Sequence, residues 1–154
     1  AVANRARPLR LVILGTGSDA CRDTLLARAE ARGIADRLDL AGVTDDIFAW
    51  LRAASVFALA SRWEGSSIAL LEAMAAGTPV VVSRSAGDAP EVVGGGRHGL
   101  LVDADDTDGF AAALLRQIAD PVRPGDRAAD FGAAAMIRAS RALLHEAVKP
   151  GLAP

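Results

Sequence analysis

The strongest constraint on this chain is an alternation: short apolar runs closed by glycine are followed by segments with helical spacing. The most β-branched run is Val80-Val81-Val82-Ser83, entered through Gly77-Thr78-Pro79. Similar runs are Leu9 to Leu14, closed by Gly15-Thr16-Gly17-Ser18; Leu38-Asp39-Leu40, stopped by Gly42; Val56 to Leu59; and Gly99 to Val102. Between them the pattern predicts a helix capped by Asp19 and stopped by Gly33, and further helices over about 45–54, 67–76 and 107–119. After Pro121 and Pro124, an alanine-rich helix is expected over about 126–147. Strands that are apolar throughout and separated by helices imply parallel pairing under cover on both faces. The fold class is therefore α/β, a doubly wound parallel sheet of about five strands. In such sheets ligands sit beyond the carboxyl ends of the strands, so the loops there are where chemistry is sought.

Composition narrows the function. With 154 residues, 17 basic and 19 acidic side chains, the formal net charge is −2 and the basic residues are scattered. There is no basic stripe to hold a phosphate backbone, so nucleic acid is not expected as a partner. No apolar run reaches membrane-span length and the start AVANRARP does not read as a signal peptide, so a cytoplasmic location is expected. The single cysteine, Cys21, excludes an internal disulfide and is read as a small buried group on the first helix. His98 and His145 are read as surface residues, His145 near the C-terminal end of the last helix. The expected organisation is an α/β ligand-binding domain over residues 1–120, then a proline-containing linker and helix over 121–154.

Two loops stand out. Gly15-Thr16-Gly17-Ser18 opens a helix directly after a strand, where glycine amides can approach a phosphate and the helix end adds positive potential. A plain strand-to-helix turn explains it equally, because Ala20 replaces the third glycine of the dinucleotide fingerprint and no acid ends the next strand. The second loop runs Ser61-Arg62-Trp63-Glu64-Gly65-Ser66-Ser67-Ile68-Ala69-Leu70-Leu71-Glu72-Ala73-Met74-Ala75-Ala76-Gly77-Thr78-Pro79. Its glutamates, Glu64 and Glu72, would lie roughly 12 Å apart along a helix axis at 1.5 Å per residue. That is too far for the carboxylate pair of a retaining glycosidase, which needs about 5 to 5.5 Å. Between them, the amides of Gly65, Ser66, Ser67 and Ile68 would point from a helix N-terminus toward an anion such as a departing diphosphate.

This stretch resembles the E-x7-E region of retaining GT-B glycosyltransferases, especially family 4, with the helix text L-E-A-M-A-x-G-x-P-V-V. The similarity extends from about Leu9 to Asp120 and includes the G-x-G turn, the loop Gly87-Asp88-Ala89-Pro90-Glu91-Val92-Val93 and the run Gly99-Leu100-Leu101-Val102. The resemblance implies a hexosyl transferase of bacterial type that takes a nucleotide sugar, such as a UDP- or GDP-sugar, as substrate and needs no cofactor. It places Glu64 near the transferred sugar as the catalytic position and gives Glu72 the two ribose hydroxyls. It also puts Gly42 and Val43 near the base, and Gly87 and Asp88 near the sugar or phosphates. Asp103-Ala104-Asp105 imitates a metal-binding D-x-D, but the resemblance puts it at a solvated turn, so no metal is expected. Trp63 is read either as lining the pocket or as plugging the sheet end.

The resemblance also implies what this chain lacks: a first strand with an Arg and a Lys that grip the diphosphate, and an N-terminal acceptor-binding domain. Any donor binding by the chain alone is therefore expected to be weak. Removing the central strand from the order 3-2-1-4-5-6 leaves 2-1-3-4-5, so the strand at Leu9 is expected to pair with that at Val56. The alternative reading is a stand-alone nucleotide-binding or interaction module without catalysis. The apolar face Phe131, Met136, Ile137, Leu143 and Leu144 of the last helix is read either as covering the sheet or as crossing to a partner domain or a second copy, and the open sheet offers a further route to a second copy.

Overall fold

The structure, a computed structural model, describes residues 9–147 and divides into two compact units between Trp50 and Leu51. In the first unit β1 (Leu11–Leu14) pairs in parallel with β2 (Leu38–Gly42), and α1 (Asp19–Ala31) connects them. Ser18, rather than the expected Asp19, caps α1: its hydroxyl accepts from the Cys21 amide at 3.3 Å, while Asp19 lies in the first turn against the positive helix end. Ala29 is buried, but Cys21 is exposed, which corrects its reading as a buried group. It lies in the first turn of α1, beside the exposed Asp19 and Ala20. The apolar run of β1 is likewise only partly covered, with Leu11 at 53% exposure.

Helix α2 (Ile47–Ala53) spans the division between the units, and Asp46 accepts from the Ala49 amide at 2.9 Å to cap it. In the second unit β3 (Phe57–Leu59), β4 (Val80–Ser83) and β5 (Leu100–Val102) form a parallel sheet in the order β3-β4-β5. Every residue of the central β4 is buried, as its β-branched run requires. Helix α3 (Ile68–Ala75) contributes buried Leu70, Ala73 and Met74, and the short α4 (Ala89–Val92) contributes Ala89 and Val92. Each large apolar side chain buried here contributes about 1.5–3 kcal/mol. Helix α5 (Thr107–Ala119) occupies the expected residues, with Asp106 accepting from the Gly109 amide at 2.8 Å. It is pinned to β4 by the buried Gln117, which donates to the Val80 carbonyl at 2.8 Å and accepts from the Val122 amide at 2.7 Å.

The tail departs from expectation. A 3-10 turn over Arg127–Phe131 precedes α6 (Ala133–Ala147), with an extended residue, Gly132, between them, instead of one helix over 126–147. Arg127 accounts for the break. It donates to the Glu91 and Val92 carbonyls at 2.8 and 3.2 Å, pairs with Asp130 at 2.7 Å and covers the Phe131 ring at 4.7 Å. These contacts anchor the turn at the end of α4 and outweigh the helical propensity of the alanines. On α6, Met136, Ile137, Leu143 and Leu144 are all more than half exposed, so this face does not cover the sheet.

The expected strand order is present in two parts, 2-1 and 3-4-5, in separate two- and three-stranded sheets. The ladder between β1 and β3 that would join them into one sheet is not formed among the described residues.

Candidate functional site

The loops after β3 and β4 meet at the carboxyl end of the second unit's sheet. The hydroxyls of Ser83 and Ser85 both donate to the Ser61 carbonyl, Ser85 at 3.2 Å. Ser61 in turn donates from its hydroxyl to Glu64 Oε1 at 3.0 Å, holding that half-buried carboxylate over its own loop. Two positions after Ser85, Gly87 lies against the backbone of Glu64 and Gly65 at φ +52°. A Cβ there would overlap the Gly65 carbonyl oxygen and fall 2.6 Å from that of Glu64, so only glycine lets the loops touch. Beside this contact the Ser66 hydroxyl donates to Asp88 Oδ2 at 2.7 Å. The other oxygen, Asp88 Oδ1, is buried with no partner among the described residues.

Helix α3 starts from this loop. Ser67 is its cap, accepting from the Leu70 amide at 3.3 Å. The amides of Gly65, Ser66, Ser67 and Ile68 have no acceptor among the described residues; α3 begins at Ile68 after the Ser67 cap, so those of Gly65 and Ser66 belong to the preceding loop and not, as expected, to the helix end. Glu72 lies just over one turn into the same helix, half-buried, and its carboxylate likewise has no donor among the described residues. Glu64, Gly65, Ser66, Ser67, Gly87 and Asp88 are thus brought together, with Ile68 and Glu72 on the helix that leaves them.

The first unit joins two of its own candidates. The Gly15 amide donates to the Gly42 carbonyl at 2.7 Å, with both residues at positive φ, so the turns after β1 and β2 close on each other. That amide is engaged and is not free for a phosphate, which narrows the role expected of Gly15. Gly17 precedes the Ser18 cap, and Val43, directly after Gly42, is 75% exposed.

Trp63 is 85% exposed, which removes the reading in which it plugs the sheet end. Asp103 and Asp105 are turned to arginines: Asp103 pairs with Arg84 at 3.4 Å and Asp105 with Arg62 at 2.8 Å. Among the described residues no group of three or more His, Cys, Asp or Glu could hold a metal. His98 is half-buried rather than on the surface, whereas His145 is exposed in the last turn of α6. Also among the described residues, no helix is long and apolar enough to cross a membrane. The serines Ser61, Ser83 and Ser85 escaped the sequence reading. The S-x-x-E spacing of Ser61 and Glu64 was the available signal, but the roles of Ser83 and Ser85 depend on two loops separated by a helix.

Parallel strands separated by helices, with an acidic loop opening a helix at their carboxyl ends and a glycine-rich loop packed against it, define a Rossmann-like class of α/β protein. The chain belongs to the family described as glycosyl transferases group 1, whose pattern matches residues 1–120. It is 40% identical over 111 residues to a lipopolysaccharide core biosynthesis glycosyltransferase, LpsE, of Rhizobium meliloti, covering 71% of this chain and 32% of that one. It is 37% identical over 142 residues to a GDP-mannose-dependent phosphatidylinositol monomannoside mannosyltransferase of Mycobacterium tuberculosis, covering 86% and 35%. Among solved structures, HepE of Anabaena in complex with UDP-glucose superposes with a TM-score of 0.77 at 21% identity, covering 92% of this chain and 42% of that one. Sucrose-phosphate synthase of Thermosynechococcus elongatus gives 0.75 at 26% identity, covering 92% and 40%. The chain therefore spans about a third of the length of the curated relatives it matches. The fold of these neighbours is GT-B and Rossmann-like, in agreement with the resemblance read from the glutamate loop.

Proposed function

We propose that this chain is the donor-binding part of a retaining hexosyltransferase, and that its second unit takes the diphosphate sugar of a nucleotide donor at the start of α3. The observation that carries the reading is the set of unpartnered amides at Gly65, Ser66, Ser67 and Ile68, flanked by Glu64 and followed by Glu72. A diphosphate becoming a leaving group gains charge, and amides aimed at it from a helix end stabilise that charge where it develops. Glu72 accepts the two ribose hydroxyls, a pair of charge-assisted hydrogen bonds contributing on the order of 1.5 to 3 kcal/mol each. Glu64, oriented by Ser61, faces the transferred sugar, and Gly87 and Asp88 border it. In the first unit, Gly17, Gly42 and Val43, with the turn held by Gly15, are proposed as nucleotide contacts.

Two relatives support a hexosyl donor: one is named for GDP-mannose and one is bound to UDP-glucose. No cofactor or resident metal is needed in this scheme. The acceptor would bind outside this chain, in the length its relatives have beyond the match, and transfer would require that part. Calorimetric titration of the chain with UDP, GDP, UDP-glucose and GDP-mannose tests the proposal. Weak binding is expected, reduced at least tenfold by Glu72→Ala, since each 1.4 kcal/mol lost is a factor of ten. No binding of any of the four, or binding indifferent to Glu72→Ala, overturns the donor reading. Sugar transfer or donor hydrolysis by the chain alone would instead overturn the need for a second part.

A further inference from the structure

The loops after β3 and β4 are tied by more than the glycine contact, and the tie belongs to this sequence's own side chains. Ser66 stands beside Gly65 in the first loop and Asp88 beside Gly87 in the second, so the 2.7 Å hydrogen bond lies next to the Gly87 backbone contact. A hydroxyl donating to a carboxylate at that distance is a charge-assisted bond, roughly twice as strong as a neutral one. The backbone contact alone is an approach without a donor, because the Gly87 amide is used locally on the Ser85 carbonyl at 2.9 Å. The Ser66 to Asp88 bond therefore supplies the direction that the glycine contact lacks.

We propose that Ser66 and Asp88 form a latch that holds the Glu64–Gly65 segment at the height set by Gly87, making Asp88 a positioning residue for the sugar end of the donor. This rests on the donor reading above, in which Glu64 faces the sugar and Glu72 the ribose. Asp88 acts through Ser66: one carboxylate oxygen is occupied by that hydroxyl, and the other is buried without a partner. The latch sits at the loop end of α3, while Glu72 is anchored within the helix by the buried Leu70, Ala73 and Met74 around it. Releasing it should move Glu64 and leave Glu72 in place. The two ends of the ligand are then distinguishable: a nucleoside diphosphate reports on the helix and the amides at its start, and a nucleotide sugar adds Glu64.

The test uses the full chain with Ser66→Ala and Asp88→Ala as the breaking variants and Ser66→Thr and Asp88→Asn as conservative ones that keep a hydroxyl or an acceptor. Without ligand, backbone amide NMR shifts should cross the latch: Ser66→Ala moves Gly87 and Asp88, and Asp88→Ala moves Glu64 to Ser66. Shifts confined to within two residues of each substitution would overturn the latch whatever the ligand does. With ligand, calorimetry should show UDP-glucose or GDP-mannose binding weakened about tenfold by either breaking variant, the low end for a charge-assisted bond. UDP and GDP, which also use the Gly65 and Ser66 amides of the latched segment, should be weakened clearly less than the nucleotide sugars, and the conservative variants should recover most of the loss. Equal loss for diphosphate and nucleotide sugar, or no loss for either, overturns the positioning role. Absence of all nucleotide binding by the unsubstituted chain overturns the donor reading and the positioning role with it, while the ligand-free shifts still decide whether the latch exists.

Discussion

Replacing Gly87 by alanine should unfold the second unit far more readily than its single added methyl group suggests. Two costs combine at this residue. Its φ of +52° lies in the left-handed region, where a Cβ costs roughly 1–2 kcal/mol. The same Cβ would overlap the Gly65 carbonyl oxygen and approach that of Glu64 to 2.6 Å, both backbone atoms that cannot rotate away. Overpacking of this kind costs typically about 1–3 kcal/mol, so the sum is about 2–5 kcal/mol. Gly77 separates the two contributions. It follows α3 at φ +76°, in the same unit, with nothing within 4 Å of its would-be Cβ. Gly77→Ala should therefore cost only the backbone share, roughly 1–2 kcal/mol. Urea unfolding of both variants gives the comparison through the shift of midpoint at constant slope. A Gly87→Ala variant no less stable than Gly77→Ala would refute the argument, because it would mean that the loops after β3 and β4 do not press together as described.

Gln117→Leu keeps the bulk of a buried side chain but leaves the Val80 carbonyl and the Val122 amide unpaired. At about 1–3 kcal/mol for each stranded group, thermal unfolding should shift down by several degrees, and an unchanged Tm would show that the residues after α5 are not held through Gln117. Trp63→Ser should leave stability within about 0.5 kcal/mol, since the ring is 85% exposed, and a larger loss on denaturant titration would mean that the ring packs in the folded chain.

The alternation of glycine-closed apolar runs and helical segments determined the α/β class, the parallel direction of the strands and most element positions, because each signal is local. The span of β4 over Val80–Ser83 and of α5 over Thr107–Ala119 needs little beyond side-chain branching and period. Glu64 and Glu72 were legible for a similar reason: their eight-residue spacing across a helix start is a property of consecutive residues. What local signals could not decide was which side chain completes a contact across a gap in the chain. The tail breaks at Gly132 because Arg127 finds the Glu91 and Val92 carbonyls, 36 and 35 residues away. Cys21 is exposed although its spacing is that of an apolar face, since burial depends on what a helix packs against. The site follows the same division. Its residue types and their order are written in one segment, whereas the three serines that fix Glu64 and the pairing of Ser66 with Asp88 exist only where parallel strands bring two loops together. Hydrogen bonds act over about 3 Å of space irrespective of separation along the chain, so the orientation of the carboxylates was the tertiary structure's to decide.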